Sequence, residues 1–251
     1  MLKALHPAEI DLQRIALLRD APLQDLSDRE KLSSLLLKLG LNDEGMQEFP
    51  AFLHEFCGHG LRLWQYPNQY SRYLVRLSKL DVRSYLEIGV RHGGSFIITT
   101  EYLSRFAPLI ASVGVDIIPC PSMSEYHTLN PRARFHSINT QSDQFAQLLN
   151  NCGPFDLVFI DSHHDEIQCR REVAFVEQYA NIIALHDVSN VACPGVAKVW
   201  DELKSRTDLV CFEYVDQYLE DGPYMGIGLA IKRHRFNDAM SSTSAETEAT
   251  P

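Results

Sequence analysis

Downstream of Ser84 the chain alternates between two hydrophobic rhythms. Short apolar runs bounded by glycine and polar residues recur near 84–89, 110–116, 133–138, 156–161, 182–188, 210–216 and 226–232. Between them, segments near 95–106, 141–151, 165–180 and 195–205 have helical character. Continuous apolar runs of roughly four to eight residues are what strands buried on both faces require. Alternated with helices, they predict parallel βαβ units. The link between the second and third strands carries Pro119 and Pro121 and is predicted to be irregular. The last two strands are joined through Asp221-Gly222-Pro223 with no helix between them, so they should pair antiparallel.

Upstream, residues 1 to about 80 read as helices. Ser27-Asp28-Arg29-Glu30 fits a capping box, with the Ser27 hydroxyl and Glu30 carboxylate each accepting from a free backbone N–H. Leu32, Leu35, Leu36 and Leu39 then share one helical face, and Gly40 is placed to end the helix. This leucine stripe needs a partner. Tyr70, Tyr73, Leu74, Leu77 and Leu80 mark a further helix expected beside the first strand. The organisation expected is an N-terminal helical extension over 1–64, serving as a lid or a dimer surface, and an α/β domain over 65–236. A disordered Ser/Thr/Glu/Ala-rich tail follows over 237–251.

Composition narrows the function classes. A chain of 251 residues, 45% hydrophobic, suits one α/β domain with an appendage. The formal net charge of -10 comes without a basic stripe, and Lys232-Arg233-His234-Arg235 is too short to make one, so no nucleic-acid partner is expected. Six cysteines without C-x-x-C spacing fit a reduced, cytoplasmic protein. No run is apolar enough for a signal peptide or a membrane span, and no membrane partner is expected. His54-Glu55-Phe56-Cys57-Gly58-His59-Gly60 has zinc-like residues, but its glycines break any helix that would fix ligand spacing. It reads as a helix end and a turn.

The chemistry gathers at the strand ends. Ser84 to Ser95 runs from a strand through Glu87-Ile88-Gly89-Val90-Arg91-His92-Gly93-Gly94 into a helix, the arrangement that offers backbone N–H groups to a ligand. Its G-x-x-x-G-G spacing is not the G-x-G-x-x-G of a dinucleotide site. The second strand ends in Asp116, which either caps the next turn or accepts from ribose hydroxyls. The third ends in Ser137-Ile138-Asn139-Thr140, an N-cap or an adenine contact. The fourth delivers Ile160-Asp161-Ser162-His163-His164, and the fifth Leu185-His186-Asp187. Neighbouring strands would place two carboxylates and an imidazole in one crevice, where the carboxylates repel unless a cation or proton lies between them. Oxygen ligands completed by water suit Mg²⁺, or Mn²⁺ where an imidazole joins. The alternative is an internal hydrogen-bonding His186 and an Asp187 that caps a loop.

Glu-x-Gly-x-x-x-Gly-Gly-Ser after a strand, then Ile-Asp-Ser-His-His, then Leu-His-Asp, resembles the class I S-adenosylmethionine (AdoMet) methyltransferases. The likeness is greatest to the branch holding catechol-type and macrolide-sugar O-methyltransferases and cephalosporin-hydroxylase-like proteins. Gln65-Tyr66-Pro67-Asn68-Gln69-Tyr70 and Cys193-Pro194-Gly195-Val196-Ala197-Lys198-Val199-Trp200 resemble segments of the same branch, so the match runs over about 65–233. Tyr179-Ala180-Asn181 stands where many relatives have Pro-Gly-Gly, and His186 where others have an acid or a histidine. The resemblance implies a Rossmann-like doubly wound α/β sheet with a C-terminal antiparallel hairpin. It implies methylation of a small-molecule hydroxyl, with AdoMet held by Glu87, Gly89, Gly93, Ser95, Asp116 and Asn139. It further implies Mg²⁺ or Mn²⁺ on Asp161, His186 and Asp187, with His164 or His163 as general base. A hydroxylase-like metal enzyme or a non-catalytic AdoMet-fold module are the alternatives, and a homodimer is compatible with either.

Overall fold

The computed structural model describes residues 8–218 and 223–239. Seven strands form one sheet: β1 (Ser84–Ile88), β2 (Ala111–Asp116), β3 (Ala133–Ser137), β4 (Phe155–Ile160), β5 (Ala180–His186), β6 (Leu209–Tyr214) and β7 (Ile227–Lys232). Their order is β3-β2-β1-β4-β5-β7-β6. The first five pair in parallel, while β7 runs antiparallel to both β5 and β6 and lies between them. Strand order reverses at β1 and β4, so a crevice opens at the carboxyl ends of those two strands.

Alternation along each strand feeds two cores. Leu157, Phe159, Ile182 and Ala184 face one side with Tyr85, and Val158, Ile160, Ile183 and Leu185 face the other with Leu86 and Ile88. The second face is covered by α7 (Asp143–Cys152), α8 (Glu166–Val176) and α9 (Pro194–Lys204), through Phe145, Val173, Val176 and Trp200 among others. The first face is covered by α4 (Pro67–Leu77) and α5 (Gly94–Leu103) together with the N-terminal segment.

That segment comprises α1 (Ile15–Asp20), α2 (Leu23–Ser27), α3 (Arg29–Leu39) and short 3-10 turns over Leu12–Arg14, Met46–Glu48 and Ala51–Phe56. The leucine stripe finds its partner inside the chain: Leu32, Leu36 and Leu39 are fully buried, with α3 packed on α4. Leu12, Ile15, Leu18 and Leu26 join the same core as Tyr70, Phe96 and Phe159. Arg19 makes two bonds, of 2.7 and 2.9 Å, to the buried Glu101 of α5. Tyr102 donates to the Leu26 carbonyl at 3.0 Å.

Several local expectations are corrected. The link between β2 and β3 holds a helix, α6 (Ser122–Leu129); its prolines precede the first turn, where a missing N–H costs nothing. Asp28, not Ser27, caps α3, accepting from the N–H groups of Glu30 and Lys31, because Ser27 belongs to the end of α2 and donates back to Leu23. Helix α4 reaches across to β6 and β7 as well, with the Tyr73 ring 6.3 Å from Tyr214 and 5.8 Å from Phe159. His54 and His59 engage backbone carbonyls at 2.9–3.1 Å, and no metal-ligand cluster includes them among the described residues. Residues 233–239 are helical, so order extends past 236; the rest of the expected tail and residues 219–222 lie outside the described residues.

Candidate functional site

A cavity of about 770 Å³ opens at the carboxyl ends of β1 to β5. The glycine turn forms one wall. Gly89 adopts φ of +91°, and a Cβ there would lie 1.9 Å from the Asp161 carbonyl oxygen. Glycine at this position lets β1 and β4 approach as the turn leaves the sheet. Asp116 braces the turn: one carboxylate oxygen accepts from Val90 and Arg91 N–H, both at 2.9 Å, and the other from Ile118 N–H at 2.9 Å. Arg91, in the left-handed region at φ of +49°, is held by Glu44 at 2.6 Å.

Gly89, Ser95, Asp116 and Asn139 line the cavity, whereas Glu87 and Gly93 do not. Gly93 instead lets the turn pass Met123, whose methyl group would be 2.5 Å from a Cβ there. Glu87 is fully buried and accepts from Tyr85 and, at 2.6 Å, from Ser95, so it reaches the cavity only through the Ser95 hydroxyl. Burial pushes its carboxyl up to about 8, against the opposing bonds from Ser95 and Tyr85. A folded-state pKa above the unfolded one means that the folded protein holds an extra proton between about pH 4.5 and 8. The associated stability is complete below that window and lost as pH rises through it. Glu87→Gln should therefore lose less stability than wild type between pH 6 and 9, by about 2–3 kcal/mol. Urea unfolding at the two pH values measures this, and equal losses in both proteins would refute it.

On the opposite side of the switch point lies a knot of acids and imidazoles. His186 Nδ1 stands 2.9 Å from Asp161 Oδ1 and 3.5 Å from Asp187 Oδ2. His164 Nε2 stands 3.2 and 3.3 Å from the same two oxygens. The four donor atoms all lie within 4.8 Å of one another. Burial alone would raise the Asp161 carboxyl, but the two histidines hold it well below the usual carboxylate range. Burial likewise opposes charge on His164, yet the bond to Asp161 carries its pKa up to about 11; on His186 the same burial is outweighed by the charges of Asp161 and Asp187, which raise it. Asp187 has φ of +61°, and its other oxygen accepts from Asn190 at 2.9 Å. His163 stays outside this group: its side chain is 81% exposed and faces Asp165 at the rim.

No protein-family model matches the sequence, and no curated protein resembles it. Solved structures do. The O-methyltransferase from Bacillus cereus in complex with SAH superposes with a TM-score of 0.50 at 16% identity, over 88% of this chain and 96% of that one. This chain has a class I methyltransferase fold. Two further likenesses are the O-methyltransferase TomG from Streptomyces achromogenes in complex with SAM and the SAH-bound methyltransferase PaMTH1 from Podospora anserina. TomG gives a TM-score of 0.48 at 17% identity, covering 82% of this chain and 98% of its own. PaMTH1 gives 0.49 at 13%, covering 81% and 94%.

Residues outside the sequence expectation complete the cavity. Glu48 and Trp64 come from the N-terminal segment, Trp64 Nε1 donating to Glu48 Oε2 at 3.0 Å, and Arg62 also lines the cavity. Burial raises the Glu48 carboxyl, and the negative charge of Asp187 adds to that. Near the ends of β3 and β4 the buried Glu172 accepts from Thr140 at 2.7 Å, Gln168 at 2.6 Å and Ser162 at 2.5 Å. Asn139 meanwhile caps its own turn by accepting from Gln141 N–H at 2.8 Å. Glu172 sits mid-helix and Glu48 on an irregular turn, so neither stands at a strand end where the pattern draws attention.

Proposed function

We propose that the protein is an AdoMet-dependent O-methyltransferase that acts on a small-molecule hydroxyl with the help of a divalent cation. One observation carries this reading: a glycine turn braced by Asp116 faces, across a single cavity at the switch point, a cluster of two carboxylates and two imidazoles. The likeness in fold to the SAH complex of the Bacillus cereus enzyme supports the cofactor. The cavity volume falls within the range of small-molecule sites.

The donor chemistry fits both groups. The turn at Gly89–Ser95 and the Asp116 carboxylate would hold AdoMet, with Asn139 and Thr140 on the wall beyond. Glu87 is a positioning residue acting through Ser95. Asp161, His186 and Asp187 would hold the cation. AdoMet supplies an electrophilic methyl group, and the cation lowers the pKa of a hydroxyl bound to it. The chain's own contribution is alignment: β1 and β4, locked together at Gly89, fix the turn and Asp161 relative to one another. Of the two base candidates, only His164 reaches the cluster. All six cysteines are free, in keeping with a reducing compartment such as the cytoplasm.

Calorimetric titration with AdoMet tests the reading. Wild type should bind, and Asp116→Ala should bind at least about tenfold more weakly, since hydrogen bonds to a charged group contribute about 1.5–3 kcal/mol. Absence of binding to wild type would overturn the methyltransferase assignment.

A further inference from the structure

We infer that His164 is a metal ligand rather than the general base, and that with it the site takes a first-row transition-metal cation in preference to Mg²⁺. The inference rests on the proposed cation site and is independent of methyl transfer. The four donors alternate, carboxylate and imidazole, with N···O edges of 2.9, 3.2, 3.3 and 3.5 Å. Ligand atoms bound at about 2.1 Å stand about 3.4 Å apart in a tetrahedron and about 3.0 Å apart at neighbouring corners of an octahedron. The four observed N···O edges lie near those values, and no two of the four ligand atoms are more than 4.8 Å apart. His164 Nε2 points at the same two oxygens that His186 Nδ1 does.

The surroundings hold these donors in place. Asn190 takes Asp187 Oδ1, leaving Oδ2 turned inward. The Cys193 thiol lies 3.5 Å from Asp187 Oδ2 and is also hydrogen-bonded to His164. Such outer contacts fix ligand orientation at metal sites. The donor set then decides the ion. Mg²⁺ demands oxygen ligands and keeps its waters, whereas imidazole nitrogens suit the later first-row ions. Two imidazoles beside two carboxylates are a poor Mg²⁺ site and a good site for Mn²⁺, Co²⁺ or Zn²⁺.

Cobalt(II) is the probe, since its visible d–d absorption reports coordination directly. Full-length protein stripped with EDTA should bind Co²⁺ with a d–d spectrum, and displacing it should take at least a hundredfold more Mg²⁺ than Co²⁺. His164→Ala should weaken Co²⁺ binding at least tenfold and alter the spectrum, and His164→Gln, which keeps the bulk, guards against loss of folding. His163→Ala should match wild type. The inference is overturned if both His164 variants keep the wild-type affinity and spectrum, or if Mg²⁺ displaces Co²⁺ at comparable concentration. Failure of wild type to bind Co²⁺ would also overturn it, leaving the cluster as a set of histidine–aspartate ion pairs. AdoMet titration of the same stripped protein separates these results from a failure of the methyltransferase reading.

Discussion

Deleting residues 1–50 should leave a chain that no longer folds cooperatively. The segment buries Leu12, Ile15, Leu18, Leu26, Leu32, Leu36, Leu39, Leu41 and Phe49 against the sheet helices. Burying one such side chain contributes about 1.5–3 kcal/mol, and even a few of them together match the 5–15 kcal/mol by which a typical domain is stable. Deletion also removes the Arg19 ion pair from Glu101, which keeps its bonds from Tyr126 and Asn130. Circular dichroism melts of the truncated and full chains are the measurement. A truncated protein that melts cooperatively within a few degrees of wild type would show that the segment is an accessory layer after all.

Gly89→Ala should cost both the fold and the site. Its Cβ would meet the Asp161 carbonyl oxygen at 1.9 Å, the carbonyl carbon at 2.4 Å and the Ser162 nitrogen at 2.9 Å, all of them backbone. Backbone in a paired strand end cannot rotate aside as a side chain can, and φ of +91° adds its own strain for an L-residue. β1 and β4 must separate where Asp161 N–H donates to Ile88 O at 2.8 Å. A loss of at least about 3 kcal/mol is expected, at the upper end for single substitutions, together with loss of measurable AdoMet binding. Gly114→Ala is the comparison: its Cβ would meet the Val90 methyl at 3.0 Å, a contact that a side chain can relieve. Equal urea midpoints for the two variants would refute the argument.

Much of this molecule is legible in its sequence because the informative residues lie at strand ends. Apolar runs predict all seven strands, and the turn at Gly89 and the acids at 116, 161 and 187 follow from where those runs stop. What the pattern misses is whatever depends on contacts between distant segments. The leucine stripe at 32–39 looks like an unpartnered face because its partner, α4, lies some thirty residues on. Glu48 enters the cavity through short 3-10 turns that have no periodicity of their own. Glu87 looks like a ligand contact because it precedes the first glycine, but strand alternation turns it into the core beside Tyr85. Ser27 looks like a cap until the end of the preceding helix claims its hydroxyl.

The position of the last strand also bears on how the protein is made. β7 is synthesised after β6 yet lies inside the sheet, between β5 and β6. While the chain is still emerging from the ribosome, β6 therefore has no strand to join. β5 meanwhile presents the bare backbone of an apolar segment, Ile182 to Leu185, along an open edge. Only when residues 227–232 arrive is that edge closed, with Gly228 sliding in against the Trp200 indole, where a side chain would lie 2.6 Å from the ring. Exposed strand edges template association with other chains. Any interrupted translation product that ends before residue 227 therefore keeps the β5 edge bare.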